Sequence, residues 1–445
     1  MASSGMEITI KTIRADGSSE RQFIEGLGRR DSVVGADVEA RVREIIENVR
    51  TRGDEAVRAY TESFDGVRPD RWFISKDEMK RAFESVEEGF RAALMAAAEN
   101  IRRYHEKQIV RGYEEKDERG VIIGQAVRGL SRVGLYVPGG TAAYPSTVLM
   151  NGIPAKLAGV ERLIMATPPR REWDPGVLAA AYVAGVDEGV CYGGAQGIAA
   201  LAYGTESIEK VDKIVGPGNI YVATAKRLVF GVCDIDMIAG PSEILILADA
   251  GANPDWIAAD MLSQAEHDPN SAAILLTDDE KIAQKTALRL AERLSLLERR
   301  ETAEASLKNN GCIIICGSEG EMIELADIIA PEHLEILMKE PIDIAAKIKN
   351  AGSVFCGPWS PEPLGDYFSG TNHVLPTSGT ARFASPLGVY DFVKRMSYTY
   401  YTEEALKSAK DHIIALGEAE GLTAHAEAVR ARFEQKKEGL CGPEK

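Results

Sequence analysis

The sequence predicts an α/β fold with parallel sheets, and three observations carry the prediction. From about residue 130, short β-type runs alternate with helical segments. A second alternating stretch of the same kind follows from about residue 243. Three glycine-rich turns fall where predicted strands hand over to helices. Strand–helix alternation requires a parallel sheet with helices on its faces.

The elements follow in order. Residues 36–60 read as helical, and a long helix is expected from Ser75, where Ser75 and Glu78 fit a capping box. Met79, Phe83, Val86, Phe90, Leu94, Ala97, Ile101 and Tyr104 then recur at steps of three and four, an apolar stripe of helical period. His105 falls beside that stripe and is read as structural. The first α/β unit pairs GLYV with VLMNGIPAKLAGV, RLIMAT with PGVLAAAYVAGV, GVCYGG with AQGIAALAYG, and DKIVG with NIYVATAKRLVF. The second pairs EILILAD with a helix from Asn253, AAILLT with KIAQKTALRLAERL, and CIIIC with MIELADIIA. After about residue 386 the chain turns helical again, with Thr402–Leu416 closed by Gly417 and a last helix over 422–435.

Composition narrows the class. The 445 residues suit two to four domains at about 150 residues each. Hydrophobic residues at 45% and charged residues at 27% suit a globular protein and argue against a disordered chain. The net charge of −16 argues against a nucleic-acid partner, which calls for a basic face. No apolar run reaches the roughly 18–20 residues of a membrane helix. The opening MASSGMEITIKTIR lacks a basic segment followed by an apolar one, so no secretory signal is expected. Six scattered cysteines without a C-x-x-C pair point to core thiols in a reducing cytoplasm.

Several constellations could carry chemistry. The turns VPGGT (137–141), YGGAQG (192–197) and VGPGN (215–219) sit at the carboxyl ends of predicted strands, where open α/β sheets bind ligands. Each alone is an ordinary tight turn; three in one unit lean towards a nucleotide or dinucleotide. The helix from Asn253 reads NPDWIAADMLSQAEHDPN, with Asn253 as cap and Pro254 in the first turn. Gln264 and His267 are three apart and share a helical face at its negative end, which favours a cation. A surface Gln–His pair is the alternative. Glu332 and His333 place a carboxylate beside an imidazole, suited to acid–base work, or form an exposed turn. Residues 356–395, with five prolines and five glycines, are expected to be irregular and functional. Asp366 and His373 are their polar candidates. Glu420 and His425 stand five apart at a helix entrance. His412 is read as structural.

Taken together, GLYVPGG, YPSTVLM, GGAQ, KIVGPGN, AGPSEILILAD, LSQAEHD, APEHLE, LGDY, NHVLPT, ARFASPLGVYDF and AEGLTAH resemble the histidinol dehydrogenase family, in order from about residue 130 to 430. Thr371 before Asn372-His373, and Gly152, are small departures from the family text. The resemblance implies a zinc-dependent homodimer that oxidises L-histidinol through L-histidinaldehyde to L-histidine with two NAD. By matching positions, Gln264, His267, Asp366 and His425 become zinc ligands that also touch substrate. Glu332 and His333 become the acid–base pair, with His333 also contacting substrate. Ser242 and Glu420 become substrate contacts, and Tyr136, Gln196 and Asn219 contact the dinucleotide. His373 receives no direct role.

The implied fold is α/β, with two incomplete Rossmann-like parallel-sheet domains and small helical N- and C-terminal segments. The expected division is an N-terminal segment 1–31, an α/β domain of 32–133 and 244–386 with the metal and acid–base residues, an inserted NAD-binding domain 134–243, and a helical domain 387–445 packed on the partner subunit. A paralogue acting on another polyol or amino alcohol, a zinc hydrolase in which Glu332 activates water, and a non-catalytic binding protein are the rival readings.

Overall fold

A computed structural model describes residues 10–28, 35–67, 71–139, 144–170 and 173–434. Gly140 and Thr141 of the VPGGT turn, residues 1–9 and 29–31 of the expected N-terminal segment, and the end of the last expected helix lie outside them. The chain divides into two compact units, residues 1–109 with 129–393 and residues 110–128 with 394–445.

The larger unit begins with β1 (Lys11–Arg14), α1 (Ser19–Leu27) and α2 (Ala36–Asp65), the last broken at Gly53 (φ 52°, ψ −130°). β2 (Phe73–Ile74) leads into α3 (Lys76–Ser85) and α4 (Glu88–His105). The expected capping box is present, with Ser75 accepting the Glu78 N–H and Glu78 accepting the Ser75 N–H. The single long helix is two, because Val86 turns extended (ψ 155°) while the apolar stripe continues across the break. His105 is buried, its Nδ1 2.8 Å from the Ile101 carbonyl, a structural histidine.

After β3 (Tyr113–Lys116) and β4 (Ile122–Gly129), which belong mainly to the smaller unit, the chain alternates as predicted. It runs β5 (Arg132–Tyr136), α5 (Pro145–Leu157), β6 (Arg162–Ala166), α6 (Pro175–Ala184), β7 (Glu188–Val190), α7 (Gly194–Tyr203), β8 (Lys213–Val215), α8 (Ile220–Val229) and β9 (Asp234–Ile235). These strands form a sheet of order β2-β7-β6-β5-β8-β9, parallel except for β2. Residues of α2, α3 and α4, which the sequence grouped with 244–386, contribute Val42, Ile45, Val57, Met79, Leu94 and Ile101 to the two apolar cores on this sheet's faces. Their stripes need an apolar surface, and the alanine-rich α6 and α7, with Val148, Leu149 and Ile153 of α5, supply it.

The second sheet is built from β10 (Glu243–Ala248), α9 (Pro254–Ala265), β11 (Ala272–Thr277), α10 (Glu280–Leu294), α11 (Arg300–Asn310), β12 (Cys312–Ile315), α12 (Glu319–Ile329), β13 (His333–Leu337), α13 (Pro341–Ala345) and β14 (Ser353–Cys356). Its order is β1-β12-β11-β10-β13-β14, all parallel. β10 and β11 are buried at every position, as continuous apolar runs covered by helices on both faces must be. The N-terminal segment is part of this sheet, since β1 pairs with β12.

Residues 357–392 are largely irregular, holding α14 (Pro363–Tyr367) and two single turns of 3-10 helix. Asn372 Nδ2 donates to the Met150 carbonyl at 2.7 Å and Asn100 Nδ2 to the Phe368 carbonyl at 2.8 Å. The stretch is thereby stitched to α5 and α4.

The smaller unit holds a three-stranded sheet of order β15-β4-β3, with β15 spanning Val393–Tyr400, and the helices α15 (Glu403–Ala419) and α16 (Thr423–Arg430). Gly417 does not end α15 as expected. The helix runs on to Ala419, and Gly421 (φ 72°) makes the turn into α16 instead.

Candidate active site

Three elements bring titratable side chains together by simple periodicity. On α9, Asp260 and Gln264 stand at i and i+4, one helical face, and His267 follows just past the helix end. On β13, His333 and Glu335 stand at i and i+2, one strand face. Around α14, Glu362 and Asp366 are again four apart.

His333 starts β13 opposite Ile244 of β10, so this site lies at the amino ends of the second sheet's strands. α9 runs against the strands and delivers its own carboxyl end to the same edge. Glu332 and His333 are therefore not on an exposed turn; both are buried.

His333 Nδ1 is 3.0 Å from the Glu243 carbonyl. A carbonyl only accepts, so Nδ1 carries the hydrogen and Nε2 keeps its lone pair. Burial pushes the imidazole down to about 4, against the raising influence of Asp366, so it is neutral near pH 7. Nε2 lies 3.5 Å from Glu362 Oε1. Burial, with help from Asp366, pushes Glu362 up to about 8. Glu332 Oε2 accepts the Glu243 N–H at 2.8 Å, and burial holds its carboxyl well above the ordinary range despite that bond. Asp366 is different. Burial raises it, but its contact with His373 and the imidazoles of His373, His333 and His267 outweigh burial and hold it low.

The ligand atoms of His333, Glu362 and Asp366 all lie within 4.8 Å of one another, close enough for one metal ion. Gln264 is buried and its Oε1 has no hydrogen-bond partner. Leaving such an oxygen unpaired costs about 1–3 kcal/mol, a cost that a bound cation would remove. His267 lies exposed just past the end of α9, its N–H on the Gln264 carbonyl. The donors on hand are imidazole nitrogens and oxygens, a set that suits zinc.

The remaining expected residues fall elsewhere. Ser242 directly precedes β10, at the same edge as His333. Tyr136 ends β5, and its hydroxyl accepts the Gly194 N–H at 3.2 Å, tying that strand to the YGGAQG turn. Gln196, in α7, is buried with an unpartnered Oε1. Asn219 caps α8 by accepting the Tyr221 and Val222 N–H groups. These three stand at the carboxyl ends of the first sheet's strands. Glu420 and His425 belong to the smaller unit, at the end of α15 and in α16, both exposed.

Sequence reasoning missed Asp260, Glu335 and Glu362, and gave no role to His373, whose Nδ1 is 3.6 Å from Asp366 Oδ1. The first three were detectable as carboxylates in periodic register with Gln264, His333 and Asp366.

The profile of the Histidinol dehydrogenase family matches residues 29–433. The chain is 54% identical to a histidinol dehydrogenase of Bacillus cereus, over 93% of this chain and 96% of that one. It is 50% identical to one from Clostridium acetobutylicum, over 96% of this chain and all of the other. The crystal structure of histidinol dehydrogenase from Elizabethkingia anophelis superposes with a TM-score of 0.89 at 37% identity, covering 95% of this chain and 98% of that one. The chain therefore belongs to the histidinol dehydrogenase family.

Proposed function

We propose that the protein oxidises L-histidinol through L-histidinaldehyde to L-histidine, with two NAD as oxidants and one zinc ion per subunit, as the end of histidine biosynthesis. The observation that carries the chemistry is the state of His333: Nδ1 is pinned on the Glu243 carbonyl, and Nε2 is neutral beside the metal-capable carboxylates. Such a nitrogen could take the alcohol proton, and a bound nicotinamide would supply the hydride acceptor. Glu332 would then take a proton from the water that adds to the aldehyde, and a second NAD, when bound, would supply the acceptor for the second oxidation. Burial pushes the Glu332 carboxyl up from the ordinary carboxylate range, against the Glu243 N–H that it accepts.

Gln264, His267 and Asp366 would hold the zinc, with His425 of the partner subunit completing four ligands. A zinc ion so bound would supply charge and a fixed point for the substrate's amine and imidazole, and no redox chemistry. The unpartnered Gln264 oxygen and the low Asp366 carboxyl support this set. Glu420 of the partner subunit and Ser242 would contact the substrate, and Tyr136, Gln196 and Asn219 the dinucleotide. The homodimer reading is supported by the exposure of Glu420 and His425. The five described cysteines are unbridged, which suits the reducing cytoplasm. Among the described residues no helix is long and apolar enough to cross a membrane.

The test is NADH formation against a panel of amino alcohols. Histidinol should be preferred over analogues lacking the imidazole. A preference for any imidazole-free alcohol rejects the substrate, and metal-dependent hydrolysis without NADH rejects the reaction class.

A further inference from the structure

The turn after β8 is gripped from both sides by a buried ion pair. Lys226 sits two helical turns into α8, and helix side chains lean towards the amino end. Its ammonium thus reaches back to the turn that begins its own helix and donates to the Gly216 carbonyl at 2.9 Å. Asp236, just past β9, accepts the Gly216 N–H at 2.8 Å through Oδ2. The two side chains pair with each other and are only 3% and 1% exposed. Asp236 Oδ1 also accepts its neighbour Met237's N–H at 2.7 Å.

Gly216 has φ 111°, and a Cβ there would come within 2.1 Å of the Tyr136 carbonyl oxygen. The residue is thus pressed onto β5, with its N–H and C=O both held by charge. A buried ion pair is a poor source of net stability, because desolvation offsets attraction. Its persistence at a glycine turn calls for a positional role.

We propose that Lys226 and Asp236 are positioning residues for the dinucleotide. Clamping both polar groups of Gly216 fixes the Gly216–Asn219 turn in the shape that lets its backbone and the start of α8 approach a pyrophosphate. Neither charge serves the phosphate directly, since each is spent on the other and on the backbone. The proposal rests on the NAD reading above.

The test compares wild type with K226M/D236L, which removes both charges and leaves no lone buried ion. K226M/D236N, isosteric at Asp236, carries the test should the first variant unfold. Zinc content, histidinol affinity and NAD affinity are each measured by titration. Expected is a rise of about tenfold to a hundredfold in the NAD dissociation constant, with zinc and histidinol binding unchanged, as for a small misplacement of a binding group. Wild-type NAD affinity in the folded variants would overturn the proposal. So would equal losses of zinc, histidinol and NAD, which mark a merely structural role. Wild type that binds zinc and histidinol but no NAD would overturn the cofactor reading, and the clamp with it.

Discussion

Glu332 and His333 are held by opposite ends of one residue: Glu332 Oε2 accepts the Glu243 N–H at 2.8 Å, and His333 Nδ1 donates to the Glu243 carbonyl at 3.0 Å. The shared anchor brings Glu332 Oε2 within 3.6 Å of His333 Nδ1. Adjacent strand residues ordinarily point to opposite faces. Glu332 directly precedes β13, its carbonyl already accepting the Ser353 N–H at 2.9 Å, and its carboxylate still reaches the anchor that holds His333.

Separate anchoring of the two groups predicts separable steps. His333→Ala should lower alcohol oxidation by about 10²–10⁴-fold, the usual worth of a positioned base. Glu332→Gln keeps an oxygen for the Glu243 N–H and should fold normally, yet slow aldehyde oxidation more than alcohol oxidation. Wild type should yield two NADH per histidinol with little free aldehyde. Equal loss of both steps in Glu332→Gln, read by single-turnover kinetics, would show that the roles are not divided.

Gln264 predicts opposite signs for binding and stability. Its Oε1 is buried without a partner, so the metal-free protein carries that cost alone. Gln264→Met, similar in shape, should stabilise the metal-free protein by about 1 kcal/mol while weakening zinc binding at least about tenfold. Chelation should abolish turnover of wild type, and zinc should restore it. A variant that loses stability and keeps its zinc, measured by denaturant titration and metal competition, would remove Gln264 from the ligand set.

The carboxyl of Glu362 predicts a pH dependence in the metal-free protein. Burial and Asp366 raise it from its ordinary 4.5 to about 8. An acid raised on folding contributes fully below its unfolded value and loses that contribution as pH climbs through the folded one. His333, lowered from 6.5 to about 4, acts in the other direction, gaining from pH 4 upward and complete above 6.5. Between pH 6.5 and 8 the difference between wild type and Glu362→Gln thus isolates Glu362. Wild type should lose about 2 kcal/mol relative to the variant over that window. Parallel thermal stabilities of the two proteins across it would contradict the raised carboxyl.

How much of this was legible in the sequence depends on burial. β10 and β11 could be read directly, because both their faces are covered and their runs are wholly apolar. The Asn253-Pro254 start of α9 was equally plain, and Asn253 accepts the Asp255 N–H as its pattern implies. β3 was not, since YEEK is exposed at every position and carries no alternation. β1 was missed for the same reason: KTIR has no fully buried position and gains its place only by pairing with β12. In the site, Gln264 and Asp366 stood out through their motifs. Glu335 and Glu362 did not, because a carboxylate in a run such as HLEIL or PEPLGDY looks like solvated surface until the fold buries it.

The last prediction concerns the origin of Glu420 and His425. Both are exposed on a unit of their own, and α15 and α16 bury only Ala405, Gly417 and Ala426 between them. If the partner subunit's His425 completes the zinc shell, a two-fold dimer has two equivalent shared sites. His333→Ala and His425→Ala should each give a nearly inactive homodimer. Mixed under conditions that exchange subunits, they form dimers in which one site carries both lesions and the other carries neither. Random exchange makes about half the dimers mixed, and half of their sites are whole, so activity should recover to roughly a quarter of wild type. Were His425 to act within its own subunit, every site in the mixture would carry one lesion and no activity would return. Exchange is verified with differently tagged chains, so an inactive mixture of proven heterodimers would assign His425 to its own subunit's site and leave the zinc set otherwise intact.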